Sequence, residues 1–320
     1  MRPVSNTNSF IRYPLNNILG YEANVRLLRC MIDTGRSMSH SELAEQTGLS
    51  LPGVHKVIPR LIETGIIEYL GLQGQQYVQL RDDHPLTDTI KHLFNNEKEY
   101  FDSLLNELKN QIKSLDKQPK SVWIFGKVAQ GTDEYGDPIQ IALLGKIKSV
   151  DSLTENFREE LYHSGIEHNY DVTIDLRGIT KADLETKPNL MEGKIILLYG
   201  VYPKSYLENF TESGAQKGKK HSDFDARSLS DAEIWTKLLK KYPEIISKTL
   251  NYLENRIPQI ASGEKKELRE WKHILESMSF QRLKKFLESD SERSVRLRQS
   301  LPFWEVLNER ERSELMNTSK

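Results

Sequence analysis

Lys56 and Arg60 stand four residues apart beside His55, a spacing that puts two cations on one helix face, where they can meet phosphate. A second group lies nearer the middle of the chain. Gly126-Lys127 follows the apolar run Val122-Trp123-Ile124-Phe125, and helix-start amides together with an ammonium favour an anion there. The run Tyr170 to Leu176 reads as a strand, which would place Asp171, Thr173 and Asp175 on one face. Other clusters carry less. His221-Ser222-Asp223-Phe224-Asp225 spells a short acidic motif, but in a polar stretch that reads as solvated loop. Lys217, Lys219 and Lys220 belong to the same stretch. His163 and His168 flank a turn with no third ligand in view, so no metal site is expected.

The elements that must position these residues follow from periodicity and punctuation. Residues 1–19 are polar, carry Pro3 and Pro14, and read as a flexible arm. Over 20–84 a first helix carries Val25, Leu27, Leu28, Met31 and Ile32. A second starts after Ser39, with Glu42 at the capping-box spacing, and breaks at Gly48. A third runs from Ser50 to Thr64 and stops at Gly65. Two β-like runs, IIEYL and QQYVQL, are joined by Gly71-Leu72-Gln73-Gly74, a hairpin signature.

Residues 85–117 form a long linker helix with Phe94, Phe101, Leu108 and Leu115 at heptad spacing. That stripe predicts either packing on the helix's own domain or a dimer seam. Strands and helices alternate over 118–210, which is an α/β pattern. Residues 211–230 read as a flexible loop, and 231–320 as a helical domain. Within it, residues 264–298 are basic with interleaved aromatics. Two readings stand: a salt-bridged amphipathic helix pair, or an auxiliary nucleic-acid surface.

Bulk properties restrict the function. A net charge of -1 makes no global electrostatic claim on nucleic acid or membrane. Between Gly20 and Asp83 there are six Lys and Arg against eight Asp and Glu, whereas phosphate binding favours a positive footprint. The single cysteine, Cys30, excludes an intramolecular disulfide and suits a reducing compartment. No apolar run approaches the roughly 18 residues a membrane span needs, and the first residues lack a signal-peptide core. A cytoplasmic location is expected.

The segment SELAEQTGLSLPGVHKVIPRLIETGIIE resembles the winged helix-turn-helix family, through the spacing of Leu43, Ala44, Gly48, Leu49, Val54, Ile58, Leu61 and Gly65. The resemblance implies that Ser50, Pro52, Gly53, His55, Lys56 and Arg60 face the DNA major groove, with Gln73 and Gln75 on the wing. Residues 119 to 200 resemble a minimal nucleotidyltransferase of the polymerase-beta type. Active members bind triphosphate at a glycine-serine pair, and three carboxylates on two neighbouring strands hold two divalent cations. Here Lys127 replaces the serine, and Asp137-Pro138-Ile139-Gln140-Ile141 supplies no acid pair in either register. The implied remnant is an anion or nucleotide pocket at Gly126, Lys127 and Asp175, without catalytic residues, metal or cofactor.

The fold class expected is therefore α+β multidomain: winged helix-turn-helix, long linker helix, degenerate nucleotidyltransferase-like α/β domain and helical C-terminal domain. That combination resembles a family of prokaryotic, chiefly archaeal, transcription regulators. It implies a homodimer on double-stranded DNA, with the second domain dimerising, sensing a ligand such as a nucleotide, or binding a protein partner. The alternative is an active nucleotidyltransferase or toxin–antitoxin component that modifies RNA or protein.

Overall fold

The computed structural model describes residues 21–72, 75–208, 222–260 and 262–318. The expected N-terminal arm, and most of the expected loop after residue 210, lie outside them. The chain divides into two compact units. The first takes the residues up to Glu107 together with Lys127–Glu134; the second takes Leu108–Gly126 and everything from Tyr135 onward.

In the first unit, α1 (Glu22–Thr34) ends at Gly35, whose φ of 60° is the left-handed conformation that closes helices. A two-residue strand, β1 (Met38–Ser39), leads into α2 (His40–Thr47). Ser39 and Glu42 form the expected capping box: Glu42 N donates to Ser39 Oγ at 3.3 Å, and Ser39 N donates to Glu42 Oε2 at 2.8 Å. Next, α3 (Leu51–Glu63) is capped by Ser50 Oγ, which accepts from Gly53 N at 3.2 Å. The hairpin β2 (Ile67–Leu72) and β3 (Gln75–Leu80) follows, and β1 adds to its β3 edge. Sequence periodicity missed β1, because two residues carry no period.

Leu27, Met31, Met38, Leu43, Val54, Ile58 and Val78 form the core of this unit. Fully burying each such side chain stabilises the fold by about 1.5–3 kcal/mol. The long helix α4 (Thr87–Ser114) begins in the same unit, where Phe94 packs with Val25. Of its heptad stripe, Phe94, Leu108 and Leu115 are buried within the single chain and Phe101 is half-buried; Leu104 and Ile112 beside it are also buried.

In the second unit a four-stranded sheet has the order β6-β5-β4-β7. Its strands are β4 (Ser121–Phe125), β5 (Ile139–Leu144), β6 (Ile174–Ile179) and β7 (Ile196–Gly200). β4 runs antiparallel to β5 and β7, while β5 and β6 are parallel, joined through the crossover helix α6 (Val150–Ser164). The short helix α5 (Gly126–Gln130) precedes β5, and α7 (Ile166–Asn169) precedes β6. One sheet face buries Trp123, Phe125, Ala142 and Leu144 against Leu184 of α8 (Lys181–Thr186). The strand expected from Tyr170 starts only at Ile174. Asp171 sits before it at φ 47°, a left-handed turn that ends any alternation of faces. The shared face of Asp171, Thr173 and Asp175 is thereby corrected.

After α9 (Ser205–Glu208), helix α10 (Ser222–Lys241) occupies part of the stretch read as loop, so residues 222–230 are helical. Ser222, Asp223 and Asp225 of the acidic motif lie in its first turn. The chain continues through α11 (Glu244–Arg256), α12 (Ser262–Ser277), α13 (Phe280–Leu287), α14 (Glu292–Arg298) and α15 (Glu309–Thr318). These helices keep a core of their own, with Trp235, Leu239, Trp271, Phe286 and Phe303 at its centre. They nonetheless fall in the same compact unit as the sheet.

Three arginines of residues 264–298 turn inward. Arg282, Arg293 and Arg298 are at most 9% exposed. Arg282 donates to Asp171 Oδ1 at 2.5 Å and to the carbonyl oxygen of Val172. Buried arginines are held by such partners, which removes these three from any nucleic-acid surface. Among the described residues no helix is long and apolar enough to cross a membrane.

Candidate nucleic-acid interface

The tight turn at Gly48 (φ 68°) sets α2 against α3, and the buried residues Val54, Val57, Ile58 and Leu61 turn one face of α3 into the core. By helical geometry the opposite face points outward. Ser50, Pro52, His55, Lys56, Pro59 and Arg60 are all exposed, and Gly53 is half-buried beneath Ser50. A Cβ at Gly53 would come within 3.2 Å of Ser50 Oγ, so the small residue keeps the cap intact. Pro59 lies inside α3 and lacks the N–H that would bond the carbonyl of His55. The helix continues past it, with Thr64 N donating to the Arg60 carbonyl at 3.2 Å.

Lys56 meets no acid among the described residues and stands as a free cation. The Arg60 guanidinium lies 5.4 Å from the Tyr21 ring, a cation–π contact with an exposed aromatic. Gln73 of the wing lies outside the described residues, and for Gln75 only the strand backbone is described.

His40 at the start of α2 is a site neighbour that sequence reading missed. Its Nδ1 is 3.1 Å from Nδ1 of His55, and the two rings meet edge to face at 4.8 Å. Tyr69 of β2 lies 6.2 Å from the His40 ring. Burial, reinforced by the charge of His55, holds the His40 pKa below the usual 6.5. The N-cap at Ser39 predicted a helix start at His40, but nothing local could show that its ring meets the recognition helix.

The second predicted site fares differently. Gly126 has φ 71° and opens a helix of only five residues, too short for an appreciable dipole. A Cβ there would overlap the Gln140 side chain, so this glycine lets Gln140 lie across the strand end. Gln140 is the β5 register partner of Asp175 on β6. The position beside Asp175 is therefore held by an amide and not by a second acid. Asp175 is 3% exposed; its Oδ2 accepts from Arg177 Nη2 at 2.9 Å, while Oδ1 has no partner among the described residues. Asp137 is paired with Lys285 at 2.8 Å, and Asp171 with Arg282. Lys127 is exposed and groups with the first unit, whereas Gly126 and Asp175 belong to the second. Among the described residues no three His, Cys, Asp or Glu side chains gather as metal ligands.

Three helices, a tight turn between the second and third, and a closing hairpin define a winged helix-turn-helix domain, a DNA-binding class. Residues 23–68 match the family model described as winged helix-turn-helix DNA-binding. No curated protein and no solved structure matches the chain.

Proposed function

We propose that the protein is a homodimeric, sequence-specific transcription regulator whose α3 enters the major groove. In this reading the second unit is a catalytically inactive, nucleotidyltransferase-like body that senses a ligand or binds a partner. The observation that carries it is α3 itself: its apolar face is wholly engaged in the core, while Ser50, His55, Lys56 and Arg60 form an outward face with a free ammonium. Lys56 has no ion-pair task among the described residues, and the face has the groups that meet phosphate and base edges.

The nucleotidyltransferase-like reading draws on strand–short helix–strand–helix–strand order in a mixed sheet, with β5 and β6 adjacent. The inactive reading draws on Gln140 beside Asp175, because one carboxylate bonded to Arg177 cannot hold two divalent cations. Electrophoretic mobility shifts with the protein's own promoter region, against random DNA at moderate salt, test the central claim. Tighter binding to the promoter is expected, and equal binding to both would sink it.

A further inference from the structure

We infer that the second unit binds a small monoanionic organic acid with an apolar body, in a cavity between α6, β6, α12 and α14. The site deepens the ligand-sensing role proposed above and rests on that reading for its biological meaning, though not for its chemistry.

The cavity encloses about 320 Å³, at the small end of the roughly 300–1,000 Å³ typical of small-molecule sites. Leu161, Ile174 and Leu176 form its apolar wall, each no more than 6% exposed, and the Tyr162 ring extends it. Charged residues line the remainder, and their pairing decides which ligand fits. At the exposed end, Glu155 accepts from Arg158 at 2.6 Å and also from Lys266, which reaches Glu159 at 3.3 Å. At the buried end, Arg293 donates through Nη1 to Glu167 and through Nε to Glu270, both at 2.8 Å. Arg296 completes the Glu270 carboxylate at 2.6 Å. Burial pushes Glu270 up, but Arg293 and Arg296 together hold it below the ordinary glutamate value, so it stays ionised.

Every lining acid is thus matched by a base, and no lining carboxylate is left for a cationic ligand. Donors remain over. Arg269 has no acid within ion-pair distance among the described residues. Nη2 of Arg293, on a side chain only 10% exposed, has no acceptor among them either. The Tyr162 hydroxyl likewise has no partner among them. A guanidinium fork matches a carboxylate in two parallel hydrogen bonds, which suits one planar anion. A dianion such as a phosphate ester would bring a second negative charge among four glutamates with no further cation to meet it. The apolar wall supplies the remaining surface for an aryl or short alkyl group.

Isothermal titration of the full-length protein with phenylacetate and hexanoate, alongside phenylacetamide and hexanamide, tests this. At least one acid should bind saturably at one site per chain, with its amide about tenfold weaker or worse. Arg269→Gln, an exposed substitution, should weaken the acid by about tenfold, and Lys240→Gln, exposed and outside the cavity, should leave it unchanged. Absence of saturable binding by either acid would overturn the proposal. So would amides that bind as tightly as the acids, or an Arg269→Gln protein that binds like the parent. The titration contains no DNA, so its failure leaves the DNA-binding reading standing, and a failed mobility shift leaves this one standing.

Discussion

Arg29 of α1 and Glu97 of α4 form a two-pronged buried ion pair, Nε to Oε2 at 2.8 Å and Nη2 to Oε1 at 3.0 Å. The guanidinium also lies 5.4 Å from the Phe94 ring. Together these contacts tie the first helix of the winged domain to the long helix that follows it. With side chains 10% and 3% exposed, the two charges neutralise each other away from water. Removing one side of a buried ion pair costs up to about 3–5 kcal/mol. Glu97→Ala should therefore lower the first urea transition markedly, and Arg29→Met/Glu97→Leu should recover most of the loss. A single variant within experimental error of the parent would contradict this account.

The salt dependence of DNA binding should isolate Lys56. A lysine that neutralises one phosphate adds about 0.9 to the slope of log affinity against log salt. Lys56→Ala should reduce the slope by about one while weakening all sequences alike. Lys56→Ala/Arg60→Ala should abolish the preference for the promoter. An unchanged slope would place the phosphate contacts on another surface.

Acid should weaken the winged domain through the His40–His55 contact. Two nitrogens 3.1 Å apart need one donor and one acceptor, so the folded state disfavours protonating both rings. Its folded pKa lies below the unfolded 6.5, with burial as the main cause and His55 as the second. The unfolded chain then binds more protons as pH falls below 6.5, so this stability is complete above 6.5 and is lost as pH drops through the folded pKa. His273, lowered chiefly by burial, acts with the same sign in the second unit. Urea midpoints at pH 7.5 and 5.5 should differ in that direction, and His40→Gln should flatten the winged-domain share.

Nucleotide transfer should be absent. Labelled nucleotides incubated with Mg²⁺ or Mn²⁺ and tRNA should leave no label on RNA or protein, and Asp175→Ala should change nothing in that assay. Label transfer that Asp175→Ala abolishes would restore the enzymatic alternative.

Exposed apolar residues at the start of α4 offer a surface for dimerisation. Leu86 and Leu93 are exposed at 55% and 39%, seven residues apart on the outer side. Light scattering should show a dimer for the parent and a shift toward monomer for Leu86→Glu/Leu93→Glu. A parent monomer on and off DNA would remove the homodimer from the proposal.

Sequence alone determined what depends on a few neighbouring residues. The Ser39–Glu42 capping box, the stops at Gly48 and Gly65 and the outward face of α3 all follow from short-range hydrogen bonding, glycine's tolerance of positive φ and helical periodicity. The absence of an acid pair at Pro138 and Gln140 was equally legible, since it rests on residue type. Tertiary structure decided whatever depends on partners distant along the chain. Arg282 meets Asp171 across 111 positions, and Arg293 meets Glu167 across 126, so arginines of a stretch open to two readings are tied into ion pairs with the sheet. The heptad stripe of α4 looks the same in sequence whether its cover comes from its own chain or from a second copy. Closure of the fold also set Gln140 beside Asp175 and His40 against His55. Side chains from separate elements meet only once the core has fixed their distance, and no local pattern encodes that.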